Sequence, residues 1–133
     1  MRVLIDTNVI LDVWLAREPF LKDSARILSA AETGLIAGII APTTVTTLYY
    51  LVKKLKGDFR ARGLLQDLLS ICEVGVLRQS EIERALQSKV KDFEDAVIEA
   101  VALESAADVI VTRNLSDFKN SRVPAKEPQE ITW

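Results

Sequence analysis

Histidine is absent from the 133 residues. That excludes Ser-His-Asp and Cys-His catalysis and any His-ligated zinc site. Cysteine occurs once, at Cys72, so no internal disulfide can form and a reducing, cytoplasmic setting is expected. Long apolar runs are missing as well. The longest, Leu35 to Ala41, is far too short to span a bilayer, and no membrane partner is expected. The opening does not read as a signal peptide, because Val3-Leu4-Ile5 meets a charge at Asp6. Repeats, low-complexity stretches and a second composition regime are not found, and the length suits one domain over residues 1–133. Without histidine or a cysteine cluster, any metal must be held by oxygen, which points to Mg²⁺ or Mn²⁺. The net charge of −2 does not decide for or against nucleic acid.

Four short apolar runs are present. Val3-Leu4-Ile5 is continuous and β-branched at two of three positions, as expected of a strand buried on both faces. Leu35 to Ala41 and Val109-Ile110-Val111 read the same way, and Glu73 to Leu77 alternates. Ile131-Thr132 is a candidate edge strand.

Helical patterns lie between these runs. The first carries Val9, Ile10, Val13 and Trp14; the second covers Asp23 to Thr33 and stops at Gly34. Pro42 opens a third that ends in Lys53-Lys54-Leu55-Lys56 at Gly57. Asp58 is expected to cap a fourth helix, whose apolar stripe is Phe59, Leu64, Leu65, Leu68, Leu69 and Cys72. Ser80 with Glu83 fits a capping box for a fifth. Asp92 is the expected N-cap of a sixth, with Phe93, Ala96, Val97, Ala100, Val101 and Leu103 inward.

Strands alternating with helices predict an α/β fold, a three-layer α/β/α arrangement around a parallel sheet of four or five strands. In such a sheet, ligands bind beyond the carboxyl ends of the strands. Asp6 and the Thr112–Asn114 turn then share one edge, and a helix start at Asp92–Asp95 can face it. Carboxylates gathered there repel one another unless a cation lies among them. Each also has a plainer reading. Asp6 and Asp92 can be helix caps, Asp95 can favour the helix dipole, and Asp117 can cap a turn at Phe118.

Asp6-Thr7-Asn8-Val9-Ile10-Leu11, Asp92-Phe93-Glu94-Asp95-Ala96-Val97 and Val111-Thr112-Arg113-Asn114-Leu115-Ser116-Asp117-Phe118, in this order and spacing, resemble PIN domains. The small, single-domain prokaryotic members, including VapC-like toxins of toxin–antitoxin pairs, are similar in length and element order. The resemblance implies a Mg²⁺- or Mn²⁺-dependent ribonuclease acting on RNA, with an antitoxin partner. Carried over, Asp6 and Asp95 become the main metal ligands. Asp117, as a further ligand, or Asn114 supplies the remaining corner. Thr7 and Asn8 orient Asp6 and bound water.

This chain departs from the family in one place. Many members carry Glu in the helix after the second strand, and here Thr47 stands at that position with no acid nearby in the helix. A catalytically weakened RNA- or protein-binding module is the alternative this raises. A strand ending in an aspartate also resembles haloacid-dehalogenase-like phosphotransferases. Those usually place a second Asp two residues on, where this chain has Asn8.

Arg17 and Arg113 are the cations expected to meet a phosphate, and Lys53, Lys54, Lys56, Arg60 and Arg62 around Phe59 form a basic patch. Leu48-Tyr49-Tyr50-Leu51-Val52 is wider than one helix face can bury, so a homodimer through this helix is expected.

Overall fold

A computed structural model describes residues 1–133. The chain runs β1 (Arg2–Ile5), α1 (Thr7–Trp14), α2 (Leu21–Glu32), β2 (Ala37–Ile40), α3 (Pro42–Lys56), α4 (Asp58–Ile71) and β3 (Cys72–Val74). It continues with α5 (Gln79–Leu86), α6 (Phe93–Glu104), β4 (Val109–Val111), a 3₁₀ turn (Leu115–Phe118) and β5 (Ala125–Lys126). A second 3₁₀ turn, Pro128–Glu130, follows. The five strands form one wholly parallel sheet in the order β3-β2-β1-β4-β5. No helix is long and apolar enough to cross a membrane.

Alternation along the strands builds the three layers. Val3 and Ile5 of β1, with Val109 and Val111 of β4, pack into one core, which also holds Ile27 of α2, Leu48 and Val52 of α3, and Leu68 of α4. Leu4 and Ile110 point the other way, into a core with Ala85 of α5 and Val97, Ala100 and Val101 of α6. Each fully buried Leu, Ile or Val contributes roughly 1.5–3 kcal/mol. The strands read as continuous apolar runs because both faces are covered.

Some boundaries differ from expectation. The second strand is shorter, because Leu35 and Ile36 still close the end of α2 through bonds to Ala30 O. Cys72 opens β3 rather than closing α4, and burial pushes its thiol up to about 11. Asp58 is the first residue of α4, with Gly57 (φ 88°) as the cap; its carboxylate accepts from the Tyr49 hydroxyl and from Arg62. Arg78, not Ser80, precedes α5, because the buried Glu81 carboxylate accepts the Arg78 N–H at 3.0 Å. The edge strand is Ala125–Lys126, and Ile131 is buried in the core instead. Arg26 holds that tail by donating to Pro128 O (2.7 Å) and Ile131 O (2.8 Å).

Candidate active site

The chain leaves β1 in one direction to β2 and β3, and reaches β4 and β5 on the other side. The strand order therefore reverses at β1 and β4, whose carboxyl ends form the crevice where such sheets bind ligands. Ile5 pairs with Val111, so Asp6 and Thr112 leave the sheet side by side. Asp6 N donates to Val111 O at 3.0 Å.

Asp6 is 8% exposed. Its Oδ1 accepts from Thr7 N at 2.8 Å, and its Oδ2 accepts from Thr112 Oγ1 at 2.8 Å and Asn8 Nδ2 at 3.1 Å. Burial raises the Asp6 carboxyl above its ordinary range, the bonds from Thr112 and Thr7 pull it down, and Glu94 and Asp117 push it up. Asn8 is fixed further, since its Oδ1 accepts the Arg113 N–H at 3.2 Å. Thr7 Oγ1 bonds Thr44 Oγ1 at 3.1 Å, joining the starts of α1 and α3.

Asp92 caps α6 by accepting Asp95 N at 3.1 Å. Asp95 is thereby held in the first turn, half-buried, over the sheet edge. Its carboxyl is pushed up to about 7, first by burial and then by Asp92, Asp6, Asp117 and Glu94. One open cleft is lined by Asp6, Asn8, Thr47, Glu94, Asp95 and Asn114, along with Thr7, Leu11 and Asp92. Asp117 lines the adjoining cavity with Asp92, near enough for its charge to act on both Asp6 and Asp95.

The cations are placed differently from expectation. Arg113 turns away from the cleft and forms a fork on Asp12, Nε to Oδ2 at 2.7 Å and Nη2 to Oδ1 at 3.0 Å. Its guanidinium lies 3.9 Å from the Phe20 ring centroid. Asp12 is fully buried and also accepts from Ser24 Oγ at 3.1 Å. Removing Arg113 from this pair would leave a buried charge alone, at a cost of about 3–5 kcal/mol. Its position argues for holding α1, α2 and the end of β4 together rather than for a phosphate contact. Arg17 lies beyond the end of α1, exposed, and does not line the cleft.

Residues 2–116 match the family model described as the PIN domain. The chain belongs to the PIN-domain family. Solved structures show the same fold at low identity. One is VapBC2 from Rickettsia felis bound to a promoter DNA fragment, with a TM-score of 0.74 at 17% identity, covering 96% of this chain and 98% of that one. Another is a toxin–antitoxin complex from Klebsiella pneumoniae, with a TM-score of 0.72 at 25% identity, covering 97% and 99%. A third is VapC20 from Mycobacterium tuberculosis, described as a sarcin-ricin loop cleaving toxin, with a TM-score of 0.64 at 13% identity, covering 81% and 86%. No curated protein matches the sequence significantly.

The donor set of this PIN domain suits a hard divalent cation. It is all oxygen, and its carboxylates raise one another's pKa in the absence of a counter-charge. No three of its acidic side chains converge on one point. Mg²⁺ needs only one or two protein carboxylates and keeps several waters, so Asp6 and Asp95 would be enough to hold it. Glu94 is the residue that reading the sequence did not single out. It follows Asp92 by two positions and faces Thr47 across the cleft, so negative charge is present beside Thr47 although α3 supplies none.

Proposed function

We propose that this PIN domain is a metal-dependent endoribonuclease, the toxin of a toxin–antitoxin pair, hydrolysing RNA phosphodiesters. The observation that carries the reading is the meeting of Asp6, Asp95, Glu94 and Asn114 in one cleft at the reversal of strand order. Asp6 and Asp95, with Asp117 beside them, are the residues that would hold Mg²⁺ or Mn²⁺. When bound, such an ion supplies an activated water and neutralises charge on the phosphodiester.

The protein's own part is positioning. Thr112, Thr7 and Asn8 fix the orientation of the Asp6 carboxylate, so it does not reorganise as charge moves. Asn114 and Thr47 offer neutral polar groups that orient water without adding repulsion. The raised Asp95 carboxyl reflects the crowding of negative charge around it, which a bound cation would relieve. The RNA substrate class follows the family and the printed activity of VapC20. Two of the similar folds are VapBC or toxin–antitoxin complexes, which supports a cognate antitoxin.

We also infer a homodimer. Tyr50 (66% exposed), Leu55 (65%) and Phe59 (89%) leave large apolar side chains in solvent on α3 and α4, as a surface that takes a partner does. The second reading, a weakened binding module, is favoured by Thr47 and Asn114 standing where acids are usual. A cleavage assay separates the two. The wild type should cut single-stranded RNA with Mn²⁺ and stop with EDTA, and Asp95→Asn should be inactive though folded. RNA bound but uncut at every metal concentration selects the binding module.

A further inference from the structure

We propose that a groove of unpaired cations leads out of the acidic cleft and carries the phosphate backbone of a single-stranded RNA. The inference rests on the nuclease reading and names the track its substrate follows. Asp92 lines both the cleft and a neighbouring cavity of about 530 Å³, where Asp117 stands on the side of the acidic site and Lys91 and Lys119 add positive charge. Asn120 connects that cavity to a second of about 400 Å³, where Arg84, Lys89 and Arg122 stand. Five cations thus follow one path from the site, and no hydrophobic residue lines either cavity.

Lys89, Lys91, Lys119 and Arg122 have no carboxylate partner, and Arg84 reaches Glu104 only at 4.0 Å. Arg2, Arg62, Arg78 and Arg113, by contrast, are all closely paired. The groove has a fixed floor. Glu99 of α6 is 2% exposed and accepts from Ser88 Oγ at 2.6 Å and from Arg122 N at 2.7 Å. One buried carboxylate therefore pins both walls, the segment after α5 and the segment before β5. Both donors are neutral, a hydroxyl and a backbone N–H, so none of the exposed cationic head groups is used to hold the floor.

The chemistry selects the occupant. A protein partner needs apolar or aromatic anchors, and the groove has none. A single phosphate is too small to use cations spread over two cavities. A polynucleotide backbone presents one negative charge at each phosphodiester and matches a series of separate cations. The track is distinct from the Lys53–Lys56 run, which lies at the far end of α3 from Thr47.

The test is fluorescence anisotropy of a labelled single-stranded RNA on the full chain in EDTA, across a range of salt concentrations. Each lost phosphate contact lowers the slope of log K against log salt by about 0.7. Lys91→Gln with Lys119→Gln, and Lys89→Gln with Arg122→Gln, should each lower the slope and weaken binding, whereas Lys22→Gln should change neither. Unchanged slopes for both pairs, or a fall confined to Lys53→Gln with Lys54→Gln, would overturn the track. Equal displacement by polyglutamate would overturn its preference for RNA. Cleavage is measured in parallel. Asp6-dependent cutting with unchanged slopes rejects the groove and keeps the nuclease, whereas no RNA cut or bound rejects both.

Discussion

Thr112 Oγ1 donates to Asp6 Oδ2 at 2.8 Å, joining the ends of the two central strands across 106 residues of sequence. The same oxygen accepts from Asn114 N at 3.0 Å and from Asn8 Nδ2 at 3.3 Å. Three residues of the cleft therefore depend on one buried hydroxyl.

Thr112→Val keeps the shape and removes that hydroxyl. Asp6 should titrate higher still, since the lost bond lowers its pKa, and Asn114 N is left without its partner. A loss of about 1–3 kcal/mol is expected by urea denaturation, with Thr112→Ser recovering most of it. An unchanged midpoint would mean that the hydroxyl does not hold the cleft.

The metal-free protein should lose stability as pH rises. Asp95 sits near 7 when folded and near the ordinary carboxyl value when unfolded. The folded state binds that proton more tightly, so its stabilising effect is complete below about pH 4 and disappears as pH passes about 7. Asp6, also raised, acts in the same direction. The urea midpoint in EDTA should fall between about pH 4 and about pH 7, and Asp95→Asn should flatten the fall. An identical fall in the variant would assign it to other groups.

Thr47→Glu adds a carboxylate to a cleft that already holds Asp6, Asp95 and Glu94. It should tighten Mn²⁺ binding and lower stability without metal, because repulsion increases. Calorimetric titration reads the first effect and thermal unfolding in EDTA the second. Weaker binding would mean that Glu94 already fills the place of the missing acid.

Most of the fold was legible because buried parallel strands are continuous apolar runs, as Val3-Leu4-Ile5 and Val109-Ile110-Val111 are. The nearness of Asp6 and Asp95 was legible because Asp6 directly follows a strand end and Asp95 lies in the first turn after its cap Asp92. Asp12 was not. It stands between Leu11 and Val13 with nothing local to mark it as buried, and its partner Arg113 is 101 residues away. The cationic groove was hidden for the same reason. Its residues come from separate segments, while the contiguous Lys53–Lys56 run draws attention on its own. The two-residue strand Ala125–Lys126 is too short to carry any pattern.

The exposed apolar surface of α3 and α4 makes a prediction about assembly. Sedimentation at micromolar concentration should show a dimer that Tyr50→Asp or Leu51→Asp dissociates. Both side chains are solvent-exposed in the single chain, so the substitutions should leave the fold intact. A monomer at every concentration would remove this interface.

The proposed nuclease stands on divalent-ion binding in the cleft around Asp6 and Asp95. Isothermal titration of Mn²⁺ into the wild type, Asp6→Asn and Asp95→Asn tests it most directly, with circular dichroism confirming that all three are folded. The wild type should bind saturably and neither variant should bind. Equal binding by all three, or none by the wild type, would contradict it.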